Sequence, residues 1–131
     1  MPMPACLHLK LLDGQMAVCR LTPDGDLPLW AFRGSGFASL TRTADEWSVV
    51  CQEELIPAGI QCEKGWRILQ VAGPLDFGLT GILASIAGPL ADANVSMFAI
   101  ATHDTDYVMV KVEKLSQAIA VLVGAEHQVE S

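Results

Sequence analysis

A degenerate internal repeat divides this chain in two. At an offset of 61 positions, Phe37 falls on Phe98, Ala38 on Ala99, Thr41 on Thr102, Asp45 on Asp106 and Val49 on Val110. After a one-residue slip, Glu53 falls on Glu113 and Leu55 on Leu115. Both stretches read as strand, threonine, polar turn with aspartate, strand, then glutamate and leucine opening the next element. Convergent hairpin composition would give such a pattern. Tandem duplication of one small βαββ-type unit is the favoured explanation. In a chain of 131 residues, two units of about 60 residues each are near the lower size limit for independent stability. They are expected to share a sheet or a helical layer.

The flanking pattern extends this reading. Leu7–Leu12 and Ala17–Leu21 are apolar runs around Asp13-Gly14-Gln15, a hairpin signal. Residues 27–32 fit a short helix or an extended piece. Phe37–Thr43 and Trp47–Gln52, joined by Ala44-Asp45-Glu46, form a second hairpin candidate, and Glu53–Lys64 reads as a connector. Trp66–Ala72 is a buried strand. Leu79, Ile82, Leu83, Ile86 and Leu90 then recur at helical spacing within Gly78–Ala93, where Pro89 should kink the helix or tighten its last turn. Val95–Thr102 and Tyr107–Val112 are strands. A last helix carries Leu115, Ile119 and Leu122 and stops near Gly124, before a polar tail. The order predicts an α+β, ferredoxin-like sandwich, an antiparallel sheet with helices on one face. The expected division is residues 1–63 for a degenerate N-terminal unit and 64–131 for the complete one.

Composition narrows the function. Apolar residues are 51% and charged residues 18%, which excludes intrinsic disorder. The net charge of −7 argues against electrostatic binding to nucleic acid or an anionic membrane. The stretch from Leu79 to Ala101 is broken by Gly81, Gly88, Pro89, Asp92 and Asn94, so no membrane span is expected. Met1–Pro4 lacks the basic start of a signal peptide. Cys6, Cys19, Cys51 and Cys62 form no metal-type spacing and read as reduced, mostly buried thiols of a cytoplasmic protein. So large an apolar fraction in a small chain predicts burial against a second copy, a homodimer.

The residues also resemble a known family. Gly-Trp-Arg-Ile-Leu (65–69), Gly-Pro-Leu-Asp-Phe-Gly-Leu-Thr-Gly-Ile-Leu (73–83) and Thr-His-Asp-Thr-Asp-Tyr-Val-Met-Val (102–110) are similar to the ACT domain, the βαββα module that senses amino acids. The resemblance is strongest to small bacterial tandem ACT proteins and to the cytosolic arginine sensors of animals. It extends into the first half through Phe-Ala-Ser-Leu-Thr-Arg-Thr (37–43) and Glu-Trp-Ser-Val-Val-Cys (46–51), although that half lacks a long first helix. The resemblance implies ACT units in tandem and a free amino acid bound where the strand-to-helix loop of one unit faces another. The matching loop positions are Leu75, Asp76, Phe77, Gly78, Leu79, Thr80, Gly81 and Ile82. Ser48 and Val49 would face them, and the turn containing Thr102, Asp104, Thr105 and Asp106 would close the pocket.

Elementary chemistry supports such a site. Gly78 and Gly81 let backbone approach a ligand, and a helix start beside them suits an α-carboxylate. Asp76 suits either an α-ammonium group or a plain N-cap. Asp104 and Asp106 suit a basic side chain or a solvated turn. Asp76-Phe77-Gly78 spells a kinase tripeptide in a chain too short for a kinase. His103, Asp104 and Asp106 lack metal-ligand spacing. Cys51 and Cys62 have no adjacent base. His8 and His127 read as surface or packing residues, and Trp30, Trp47 and Trp66 as core or interface anchors. No acid, base and nucleophile assemble, so a non-enzyme without cofactor is expected: a regulatory sensor, or alternatively an interaction subunit with an empty site.

Overall fold

A computed structural model describes residues 6–72 and 81–131. These residues form an α+β fold of two compact units. One is residues 13–66; the other combines residues 1–12 with 67–131. The N-terminal strand β1 folds with the C-terminal half.

In the unit of residues 13–66, β2 (Met16–Leu21) pairs antiparallel with β4 (Trp47–Gln52), and β4 with β3 (Ser39–Arg42). β2 also pairs antiparallel with the opening residues of β5 (Gln61–Val71). The stretch read as a connector thus ends in a strand that begins five residues before Trp66. Gly65 sits inside it at φ +83°, and the register against β2 shifts between Met16 and Val18. Glycine takes that left-handed conformation without steric cost, which is why the bulge forms there. Alternation brings Cys19, Val49 and Cys51 onto one face, covered by Ala31 and Trp30 of the 3-10 turn Leu29–Phe32. That short turn stands where a first helix would lie in a complete unit.

The other unit contains β1 (His8–Leu11), the end of β5, α1 (Ile82–Asp92), β6 (Phe98–Ala101), β7 (Asp106–Lys111), α2 (Leu115–Gly124) and β8 (Gln128–Glu130). β1 is antiparallel to β5, with Leu9 opposite Val71, and parallel to β8. β7 pairs with β5 and with β6. The Asp13-Gly14-Gln15 hairpin does not form: β1 and β2 each take long-range partners instead of each other. Local turn chemistry loses because Leu7 and Leu9 gain more by joining the helix-covered core. The polar tail is likewise not a tail, since β8 pairs with β1. Ferredoxin-like connectivity is retained, with the N-terminal strand lying between β5 and β8.

Both helices pack on one sheet face. Ile86 and Leu90 of α1 and Ala118 and Leu122 of α2 meet Leu7, Leu9, Leu69, Val71, Val108 and Val110. Each large aliphatic side chain buried there contributes about 1.5–3 kcal/mol. α1 starts at Ile82, with Gly81 preceding it at φ +77°, and continues through Pro89 to Asp92.

The two hairpins match element for element, but at an offset of 59 positions. Ser39 corresponds to Phe98, Trp47 to Asp106 and Glu53, opening the 3-10 turn Glu53–Leu55, to Val112 of the turn Val112–Lys114. Leu40 faces Val49 as Ala99 faces Val108. The middle three residues of both β4 and β7 are buried. The offset of 61 is thus corrected by two. A two-residue slip leaves every strand side chain on its original face, so the apolar pattern could not distinguish the two registers.

Candidate ligand site

The β6–β7 turn is built by a threonine. The Thr102 N–H donates to the Thr105 carbonyl at 2.9 Å, and the Thr102 hydroxyl donates to the same oxygen at 3.0 Å. The Thr105 N–H returns to Thr102 Oγ1 at 3.4 Å. Thr43 does the same in the first hairpin, where its N–H donates to the Glu46 carbonyl at 2.9 Å and its Oγ1 accepts from the Glu46 N–H at 3.1 Å. Asp45 therefore corresponds to Asp104 rather than Asp106.

Thr105 has a further role. It is buried, and its hydroxyl donates to the Val71 carbonyl at 2.7 Å. Val71 ends β5, and the next residue, Ala72, donates its N–H to the His8 carbonyl at 2.8 Å. The turn is thus fastened to the point where the chain leaves the sheet. Gly81 precedes α1, which opens at Ile82, and the Ser85 N–H donates to the Gly81 carbonyl at 2.9 Å. Leu75, Asp76, Phe77, Gly78, Leu79 and Thr80 lie outside the described residues.

The remaining candidates differ in character. Asp104 is exposed and lies 3.2 Å from Nδ1 of its neighbour His103. Asp106 opens β7 opposite Ala101 and is partly buried. On the adjoining strands, Gln70 Nε2 donates to the Tyr107 hydroxyl at 3.5 Å. Ser48 and Val49 belong to β4 in the other unit; Val49 is fully buried there with Cys19 and Cys51. A cleft of about 190 Å³ in that unit is lined by Gly14, Gln15, Gln52, Glu53 and Glu54, and contains none of the sequence candidates. The Gly65 N–H donates to Glu53 Oε2 at 2.6 Å, so that carboxylate already has a partner.

His127 is not a surface residue. It is 3% exposed, accepts from the Leu7 N–H at Nδ1 (3.0 Å), and has Nε2 2.9 Å from the Ser85 carbonyl. Nothing in the local sequence announced this bridge, because its partners lie about 42 and 120 positions away.

Among the described residues no group of three or more His, Cys, Asp or Glu side chains is arranged to hold a metal ion. No helix among them is long and apolar enough to cross a membrane.

The ACT domain profile matches residues 61–123, and a profile for a family of N-terminal domains matches residues 14–59. The human protein CASTOR3P is 30% identical over 118 residues, covering 77% of this chain and 72% of that protein. The chain belongs to the ACT-domain family. The ACT chain is also 41% identical over 97 residues to the Bos taurus cytosolic arginine sensor for mTORC1 subunit 1, spanning 66% of itself but only 30% of that relative. Among solved structures, an Agobacterium tumefaciens protein superposes on the ACT chain with a TM-score of 0.89 at 34% identity, covering 95% of this chain and 92% of that one.

Proposed function

We propose that this ACT chain is a regulatory module that binds a free amino acid, with a cationic amino acid such as arginine the first ligand to test. The observation that carries the reading is the fastening of the β6–β7 turn to the end of β5 by Thr105, in a chain similar to arginine sensors. Val71, to which the turn is fastened, and Gly81, which precedes α1, bound in sequence the stretch that holds Leu75 to Thr80. The first turn of α1 has no acidic residue and, among the described residues, no side-chain cap. Its N–H groups suit the ligand's α-carboxylate. Asp76 would take the α-ammonium group, and Asp104 and Asp106 a basic side chain. Thr102 and Thr105 hold the turn, while Ser48 and Val49 belong to the first, facing unit. The site then lies between ACT units, a degenerate one in residues 1–63 and a complete one in 64–131. The module works without a cofactor or catalysis, in the cytoplasm, as a homodimer.

Isothermal titration with each of the twenty amino acids tests this. Arginine or lysine is expected to bind at submillimolar concentration, and Asp104→Asn with Asp106→Asn to weaken it at least tenfold. Failure of all twenty overturns the reading.

One observation favours the alternative of an interaction subunit. Leu27, Leu29 and Phe32 are 50%, 64% and 48% exposed around a single 3-10 turn. Patches of this kind mark contact surfaces. Thermal stabilisation by a protein partner and by no amino acid would support that alternative.

A further inference from the structure

Three of the four cysteines converge on one face of the unit of residues 13–66. Cys19 on β2 is the direct cross-strand partner of Cys62 on β5. It also stands opposite Val49, two positions from Cys51 on the same face of β4. Cys19 and Cys51 are buried in one cluster, and Cys62 packs against it. All three are free thiols; Cys19 and Cys51 are buried, whereas Cys62 is partly exposed. The three sulfurs are not disposed to hold a metal ion. Directly opposed residues of an antiparallel pair have Cα atoms about 4.5–5.5 Å apart, inside the window of about 4.4–6.8 Å that a disulfide spans.

We infer that Cys19 and Cys62 form a reversible thiol–disulfide site, oxidised by a hydroperoxide arriving at Cys62. The Cys62 thiol takes one oxygen from ROOH, becoming a sulfenic acid and releasing ROH. The Cys19 thiol then attacks that sulfur, forming the S–S bond and releasing water. Two thiols lose two hydrogens and two electrons, and the hydroperoxide is reduced. A dithiol reverses the bond by exchange. Cys6, which donates through Sγ to the Glu126 carbonyl in the other unit, takes no part. Burial, and then the neighbouring Cys19, push the Cys62 thiol up, so the first step is slow at neutral pH and quickens on alkalinisation. The bond ties β2 to the strand that carries the Gly65 bulge. This inference is independent of amino-acid binding.

The test is peptide mapping of the full chain after exposure to hydrogen peroxide without reductant. Trypsin should yield the peptide of residues 11–20 joined to that of residues 43–64, with both released by dithiothreitol. Cys51→Ser must keep the joined pair, which then assigns Cys62 as the partner, and Cys6→Ser must keep it too. Cys62→Ser should abolish it in Cys51→Ser chains. Loss of the joined pair in Cys51→Ser, sulfinic acid at Cys62 with no joined pair, or cross-linking only through Cys6 would each overturn the inference.

Discussion

Nε2 of His127 donates to the carbonyl oxygen of Ser85 at 2.9 Å, and Ser85 lies four residues before Pro89. In an uninterrupted helix the N–H of residue 89 would serve that carbonyl, but proline has none. The histidine supplies the missing donor. Its Nδ1 accepts the Leu7 N–H, which fixes the neutral Nε2–H tautomer and ties β1 to α1.

Replacing His127 by alanine leaves a buried donor and a buried acceptor unpaired, at a cost of about 2–4 kcal/mol. Pro89→Ala alone should change stability little. In the His127→Ala background the same substitution restores a helical N–H to Ser85 and should recover about 1 kcal/mol. Urea unfolding of the four chains measures this coupling. Strict additivity would show that the histidine does not substitute for the proline.

Both helices end in the same way. Asn94 (φ 59°) and Glu126 (φ 71°) follow α1 and α2 in the left-handed conformation. The Val95 N–H donates to the Leu90 carbonyl at 2.8 Å, and the His127 N–H to the Leu122 carbonyl at 3.0 Å. Glycine is the usual residue at this position of a Schellman cap. Glu126→Gly and Asn94→Gly should each stabilise by about 0.5–1 kcal/mol. Each would raise the thermal midpoint by a few degrees in a calorimetric scan, and a fall in both would contradict the cap assignment.

The sequence made some of this architecture legible and hid the rest for identifiable reasons. β4 and α2 were readable because Val49–Cys51 and Leu115, Ile119 and Leu122 follow single, strong periods. The early start of β5 was hidden because Glu63, Lys64 and Gly65 break the apolar pattern at a bulge. β8 was hidden because a three-residue strand of Gln128, Val129 and Glu130 has no pattern, only a partner. At the candidate site, the turn was visible from its threonine and aspartates. The bond from Thr105 to Val71 was not, because it spans 34 positions and depends on strand order.

That bond is testable. Thr105→Val keeps the volume and removes the hydroxyl, leaving the Val71 carbonyl without this donor at a cost of about 1–3 kcal/mol. Thr105→Ser keeps the donor and should cost about 1 kcal/mol or less. If the turn borders the ligand, Thr105→Val should also weaken amino-acid binding in titration calorimetry, while Thr105→Ser should not. Equal effects of the two variants would refute the role of the hydroxyl.

The thiol cluster predicts a pH dependence with a definite sign. The Cys19 thiol is pushed up from its ordinary 9.0, first by its hydrogen bond to Cys51 and then by burial. Cys62 is raised by burial, whereas Cys51 is lowered by the hydrogen bond that Cys19 donates to it. Below 9.0 the unfolded chain keeps all three protons while folded Cys51 releases its own first, so stability gains with pH as that group ionises. Above 9.0 the unfolded thiols ionise before folded Cys19 and Cys62 do. The folded state then binds more protons, and stability must fall as pH rises. Urea midpoints measured under reductant should therefore decline on the alkaline side of pH 9.0. Cys62→Ala should make that decline shallower by one thiol's contribution; an unchanged slope in Cys62→Ala would exclude the cluster as its source.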